Sequence, residues 1–147
     1  MSGKGLPLSE LLGAVPHSSA TGPADAVVRD LTCDSREVKE GTCFFALKGF
    51  KRDGREFAAE AIERGARVVF SHAGPLKPVP RAVTWVVCRR DREAFSAAAA
   101  ALYDTHASKV KVVGVTGTNG KTTIAYLLRS ILGGAGGAGL LGPVEDA

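Results

Sequence analysis

Lys111-Val112-Val113-Gly114-Val115-Thr116-Gly117-Thr118-Asn119-Gly120-Lys121-Thr122-Thr123 is the stretch that decides the fold class. It opens on an apolar run, Lys111 to Val115, that reads as a strand, and passes into a Gly-rich turn from Thr116 to Gly120. From Lys121 to Leu132 the residues Ile124, Leu127, Leu128, Ile131 and Leu132 recur at helical spacing. Strand, glycine turn and helix in that order form the βα unit of an α/β protein. The turn carries chemistry as well. A loop that holds phosphate needs glycines to aim its backbone N–H groups inward and a helix N-terminus for partial positive charge. It also needs a lysine for the β/γ oxygens and a hydroxyl for Mg²⁺. Gly117, Gly120, Lys121 and Thr122 supply these in sequence. The strict G-x-x-x-x-G-K-[ST] pattern is not met, because position 115 is Val and Gly114 stands one place early. The competing reading is a glycine turn with a surface lysine.

Working back from this unit, strands and helices continue to alternate. Asp91 is the expected N-cap of an Ala-rich helix running to about Tyr103. Ala82 to Cys88 and Arg67 to Ser71 read as buried strands, separated by the Pro-rich turn His72 to Pro80. Glu56 to Arg64 is an amphipathic helix with Phe57, Ala58, Ala61 and Ile62 on one face, stopped by Gly65. Cys43 to Leu47 and Ala26 to Cys33 read as strands, Pro16 to Asp25 as a loop, and Leu6 to Val15 as a short helix. Asp104 to Lys109 is a polar joint, and Gly133-Gly134-Ala135-Gly136-Gly137 ends the final helix. The strand at 111–115 is apolar on both faces, as inside a parallel sheet, yet no further strands follow it. The expectation is therefore a complete N-terminal domain, residues 1–107, and the opening unit of a second, truncated domain, residues 108–147.

The chain has 147 residues, with 45% hydrophobic and 23% charged, which excludes wholesale disorder. No apolar run approaches the ~18 residues that span a bilayer. The start holds one lysine and no apolar core, so no secretory signal is read there. A soluble cytoplasmic protein without membrane insertion is expected. Nineteen Lys+Arg against fifteen Asp+Glu give a net charge of +4. The excess is scattered, and its two clusters, Lys48 to Arg55 and Arg89-Arg90-Asp91-Arg92, are interrupted by acid or glycine. With aromatics at 6% and none interleaved with basic residues, nucleic acid is not the expected partner. A small anionic ligand fits better. Cys33, Cys43 and Cys88 are far apart and read as reduced, mostly buried thiols. Neither they nor His17, His72 and His106 form a metal-ligand spacing.

A second segment carries possible ligand contacts: Thr32-Cys33-Asp34-Ser35-Arg36, then Phe44-Phe45-Ala46-Leu47-Lys48-Gly49-Phe50-Lys51-Arg52-Asp53-Gly54. In one reading Ser35 and Arg36 hydrogen-bond an anion while Lys51 and Arg52 face phosphate. In the other, Asp34 and Ser35 make a local turn and the basic residues are solvated. Read alone, the turn is favoured.

Taken together and in order, D-S-R, F-F-A-L-K-G, D-G, R-E-F-A-A-E-A-I-E-R-G-A and V-G-V-T-G-T-N-G-K-T-T resemble the beginning of a Mur ligase. These are the ATP-dependent amide-bond ligases of peptidoglycan precursor synthesis. The opening L-S-E-L-L-G-A-V-P is similar too, so the likeness runs to about Leu132. Its implied fold is α/β: a Mur ligase N-terminal UDP-binding domain, then the first strand–P-loop–helix unit of a truncated central ATPase domain. The G-T-N-G-K-T-T loop resembles the members that add the third stem-peptide residue to UDP-N-acetylmuramoyl-L-alanyl-D-glutamate. Those that add the terminal dipeptide are the alternative, and a stand-alone UDP-sugar-binding module or an unrelated nucleotide-binding protein are further readings.

The resemblance implies that Cys33, through its backbone, and Ser35 contact the uridine diphosphate part of a UDP-N-acetylmuramoyl-dipeptide substrate. Phe50, Lys51 and Arg52 would do so as well. Gly117, Thr118, Asn119, Gly120, Lys121, Thr122 and Thr123 would bind ATP, with Lys121 the catalytic group on the phosphates and Thr122 toward Mg²⁺. Asn119 would also approach the nucleotide-sugar. An amino acid would be the second substrate and a monomer the expected state. The family's acidic Mg²⁺ ligands, modified lysine, adenine pocket and amino-acid site have no counterpart here, and Gly142-Pro143 stands where the family often has G-T. The chain alone is therefore expected to be inactive.

Overall fold

The computed structural model describes residues 5–104, 111–133 and 139–140. The polar joint at 105–109 with His106, the glycine run 134–137, and Gly142-Pro143 lie outside the described residues. Two compact units divide the chain, Met1–Ser108 and Lys109–Ala147.

In the first unit the chain runs β1 (Leu6–Pro7), α1 (Leu8–Ala14), β2 (Ser19–Thr21), β3 (Val27–Val28) and β4 (Asp30–Thr32). It continues through β5 (Thr42–Ala46), α2 (Ala58–Glu63), β6 (Val68–Ser71), β7 (Thr84–Val87) and α3 (Asp91–Leu102). A five-stranded sheet has the order β2-β7-β6-β5-β4. Its strands β4 to β7 are parallel neighbours, and β2 adds an antiparallel edge through Ala20↔Val86. All five residues of β5 are buried, because helices cover both faces of the sheet. Side-chain alternation splits its residues between two cores. Cys43 and Phe45 join Phe70, Val86 and Cys88 under α1 and α3, while Phe44 and Ala46 join Val69 and Trp85 under α2. Phe45 stacks on Phe70 with ring centroids 4.6 Å apart and meets the edge of Phe95 at 5.0 Å.

The parallel run has a consequence for function. The ends of β4, β5, β6 and β7 bring the turn at Cys33–Arg36, the loop at Leu47–Asp53, His72 and Cys88–Arg90 to one edge. Open α/β sheets take ligands at that carboxyl edge.

Several sequence expectations are corrected. The helix expected from Leu6 begins at Leu8, since Pro7 (φ −56°, ψ 139°) is extended and Leu6-Pro7 pairs with Val27-Val28. Within the expected loop 16–25, Ser19–Thr21 is a strand, held by the backbone of β7 although its side chains are exposed. The strand at 26–33 breaks at Arg29, whose N–H goes to the Gly41 carbonyl at 2.8 Å, so it divides between two sheets. The helix expected from Glu56 opens as a 3-10 turn, Gly54–Phe57, capped by Asp53. Arg90 occupies the N-cap position of α3 and Asp91 lies inside the first turn. Of the three free thiols, Cys43 and Cys88 are buried and Cys33 is exposed.

The second unit holds α4 (Lys121–Gly133), at the place where the apolar period puts a helix. The strand expected at 111–115 is not formed. Strand identity is conferred by a hydrogen-bonded neighbour, and none pairs with these residues among those described; Val112 and Val113 are 89% and 63% exposed. No helix of the described residues is long and apolar enough to cross a membrane.

Candidate functional site

The Asp34-Ser35-Arg36 turn is built by its own side chains. Asp34 Oδ1 accepts the Arg36 backbone N–H at 3.0 Å, opening the 3-10 turn Ser35–Glu37. The Arg36 guanidinium closes on the same carboxylate, Nε to Oδ1 at 2.9 Å and Nη2 to Oδ2 at 2.5 Å. These bonds hold the Asp34 carboxyl down at about 2. The Asp34 N–H in turn reaches Thr32 Oγ1 at 3.1 Å, and the Thr32 hydroxyl donates to Glu37 Oε2 at 3.1 Å. Ser35 is buried and donates to Glu60 Oε2 at 2.7 Å, tying the turn to α2. Glu60 is braced by Arg64 Nε at 3.2 Å. The geometry thus gives the local-turn reading its full content, and it leaves Cys33 and the outer face of Arg36 toward solvent.

The loop after β5 repeats the device. Asp53 Oδ1 accepts the Arg55 N–H at 3.0 Å, and the Arg55 guanidinium returns to Asp53 Oδ2 at 2.7 Å. Arg55 also donates from Nη1 to the Gly74 carbonyl at 2.9 Å. The Asp53 carboxyl is held at about 2, chiefly by its side-chain bond to Arg55. The loop is closed by Gly49 N–H to Arg52 O and Gly54 N–H to Leu47 O, both 3.0 Å. At its tip Phe50 and Lys51 are exposed, and Phe50 touches no core residue. Arg52 lies 4.5 Å over the Phe57 ring and 3.5 Å from Glu56, so its charge is partly engaged. Gly54 is required by space: a Cβ there would stand 2.6 Å from the Ala46 carbonyl carbon and the Leu47 oxygen.

Sequence reasoning singled out Cys33, Ser35, Phe50, Lys51 and Arg52, and the fold brings all five to the carboxyl edge of the sheet. It missed Glu60, Arg55 and His72, whose Nε2 lies 3.7 Å from Asp53 Oδ2 while Nδ1 is buried without a partner. The repeated Asp-x-Arg spacing was a readable signal for Arg55; the others join the cluster from distant sequence. Two cavities lie elsewhere. One of about 440 Å³, lined by Arg29, Glu40, Gly41 and Arg67, opens at the opposite, amino edge of the sheet. Another of about 760 Å³ lies beside Trp85, Val83 and Pro80. Neither contains a residue of the two Asp-x-Arg turns.

In the second unit, Gly120 (φ 74°) turns the chain into α4, whose first bond is Ile124 N–H to Gly120 O at 3.0 Å. The first turn, Lys121-Thr122-Thr123, carries no acidic residue. Its N–H groups have no intrahelical acceptor, and the helix dipole adds positive potential there. Lys121 folds back on the loop, Nζ donating to the Gly117 carbonyl at 2.5 Å and the Thr118 carbonyl at 3.4 Å. Backbone donors, an ammonium and the hydroxyls of Thr122 and Thr123 in one exposed turn are a donor set suited to a polyphosphate with its metal ion.

A family model described as "Mur ligase family, catalytic domain" matches residues 27–118. UDP-N-acetylmuramoyl-L-alanyl-D-glutamate–2,6-diaminopimelate ligase of Solibacter usitatus is 42% identical over 141 residues, covering 94% of this chain and 28% of that protein. The protein of the same name from Geobacter metallireducens is 40% identical over 129 residues, covering 88% and 25%. Among solved structures, MurF of Acinetobacter baumannii superimposes with a TM-score of 0.69 at 25% identity, over 92% of this chain and 29% of that one. MurF of Thermotoga maritima in complex with ADP gives 0.58 at 29% identity, over 74% and 24%. The chain spans less than a third of the length of the relatives it matches.

Proposed function

The chain belongs to the Mur ligase family, and from that premise we propose that it is the N-terminal portion of the ligase that adds the third stem-peptide residue. The acceptor is UDP-N-acetylmuramoyl-L-alanyl-D-glutamate, the reaction consumes ATP, and the setting is cytoplasmic peptidoglycan synthesis. The observation that carries this reading is the 42% identity with a relative of that printed activity over 94% of the chain, a span that takes in both units. The MurF likeness among structures, at 25% identity, supports the family and its fold more than the step.

In this reading the two units divide the work. Residues 1–107 form the UDP-sugar-binding domain, with Ser35, the backbone at Cys33 and the tip Phe50-Lys51-Arg52 toward the uridine diphosphate. Residues 108–147 begin the ATPase domain. There Gly117 to Thr123 would hold the ATP phosphates, with the Lys121 ammonium neutralising their charge and the Thr122 hydroxyl available to Mg²⁺. When bound, Mg-ATP would supply its γ-phosphoryl group to the substrate's terminal carboxylate with release of ADP, and the incoming amine would displace phosphate from that acyl group to form the amide. Before phosphate arrives, the Lys121 ammonium rests on two neutral loop carbonyls, and binding exchanges these for ion-paired bonds to an anionic phosphate oxygen. The protein's part is alignment and charge neutralisation.

The test is calorimetric titration of the chain with UDP-N-acetylmuramoyl-dipeptide and, separately, Mg-ATP. Binding of the first with uridine preferred over cytidine, and of the second abolished by Lys121→Ala, is expected. No preference for the uridine nucleotide would overturn the assignment.

A further inference from the structure

The two Asp-x-Arg turns are chemically alike but differently placed. In the first, the Arg36 and Asp34 side chains are 78% and 32% exposed. In the second, those of Arg55 and Asp53 are 17% and 23% exposed, and Arg55 has a further bond to the Gly74 carbonyl at 2.9 Å. That bond joins the loop after β5 to the connection after β6. The other leg of the loop is anchored as well: the Lys48 N–H donates to Asp91 Oδ2 at 2.7 Å, at the start of α3. Between these anchors, Lys48 and Asp53 pair as an antiparallel bridge and Gly49 N–H closes on Arg52 O. The base of the hairpin is thus fixed to α3 and to the β6–β7 connection, while its tip exposes an aromatic ring at Phe50 and an ammonium at Lys51. A ring exposed wholly to water is not explained by packing, whereas a ring and a cation side by side on an anchored hairpin suit a base and its phosphates.

We propose that Asp53 and Arg55 are positioning residues that hold the Phe50-Lys51-Arg52 tip in its ligand-ready conformation, so that nucleotide affinity depends on a pair that touches no nucleotide. This rests on the uridine nucleotide reading above. A loop ordered before binding does not lose its freedom on binding, and affinity is gained in proportion. Arg55 does the holding through three groups at once: its own amide on Asp53, its guanidinium on the same carboxylate, and Nη1 on Gly74 O. A lysine in its place reaches one of the two acceptors and restores part of the effect.

The experiment titrates UDP into the 147-residue chain and its Arg55→Met and Arg55→Lys variants. Amide hydrogen exchange at Gly49 and Gly54, and thermal unfolding, are measured alongside. Expected for Arg55→Met is affinity weaker by about tenfold, with faster exchange at Gly49 and a melting temperature lowered by about 4–16 °C, the loss of the Asp53 pair; Arg55→Lys falls between. A lower melting temperature with UDP affinity kept overturns the proposal, as does unchanged affinity with unchanged exchange, and both leave the nucleotide reading standing. If the native chain does not bind UDP, the nucleotide reading fails instead. The holding role is then judged by exchange at Gly49, where no change in Arg55→Met overturns it and faster exchange supports it.

Discussion

Gly54→Ala is a perturbation whose size is legible in the structure. The added Cβ would stand 2.6 Å from the Ala46 carbonyl carbon, 2.6 Å from the Leu47 oxygen and 2.7 Å from the Leu47 nitrogen. All three are backbone atoms, so no side chain can rotate away. Relief requires the chain at Ala46-Leu47 to separate from Gly54, which breaks the 3.0 Å bond from Gly54 N–H to Leu47 O. Overpacking of this kind costs about 1–3 kcal/mol, and the lost hydrogen bond adds about 1 kcal/mol. For a domain near 100 residues, 1 kcal/mol moves the melting temperature by about 4–8 °C. A fall of roughly 8–32 °C is therefore expected, with a matching drop in the urea midpoint at unchanged slope. A melting temperature within about 2 °C of the native chain would refute the close approach on which the loop geometry depends.

Phe45→Ala removes a ring that stacks on Phe70 and meets Phe95 in the core under α1 and α3; a loss of about 3–5 kcal/mol by urea unfolding is expected, and less than about 1 kcal/mol would contradict the two-core division. The pH dependence follows from shifts at both ends. Asp34 and Asp53 are lowered to about 2 by their arginines, below the unfolded carboxyl near 3.9, so their stabilisation is present above about pH 4 and is lost as pH falls toward 2. Asp53 accounts for about 1–2 kcal/mol of that acid limb, and Asp53→Asn should flatten it; an unchanged difference between pH 3 and pH 7 would count against the pair. At the alkaline end, burial raises Cys88 to about 11, so stability present below the unfolded thiol value declines as pH rises through that range.

What could be read from the sequence was whatever rests on local period. The apolar repeat Ile124, Leu127, Ile131 identified α4, the run Cys43-Phe44-Phe45-Ala46 identified β5, and Ala-rich 91–102 identified α3. What could not be read rests on pairing across the chain. Ser19-Ala20-Thr21 has no apolar signal and is a strand because β7 lies beside it, whereas Val112-Val113-Gly114-Val115 has the signal and no described neighbour. The functional segments followed the same division. Asp34-Ser35-Arg36 announces its turn by spacing, since the side chain at i meets the amide at i+2. The Ser35 bond to Glu60, 25 residues away, and the Arg55 bond to Gly74, 19 residues away, arise only once α2 and the β6–β7 connection are in place.

In the proposed function, the carboxyl edge of the sheet, where both Asp-x-Arg turns lie, receives the uridine nucleotide. Titration of UDP into the ¹⁵N-labelled chain, followed by amide chemical shifts, tests this directly. Shifts are expected to concentrate at Cys33 to Arg36 and at Gly49 to Arg52, and Lys51→Ala to weaken the binding that produces them. Shifts gathered instead around Arg29, Glu40 and Gly41 would place the ligand in the cavity at the opposite edge and contradict it.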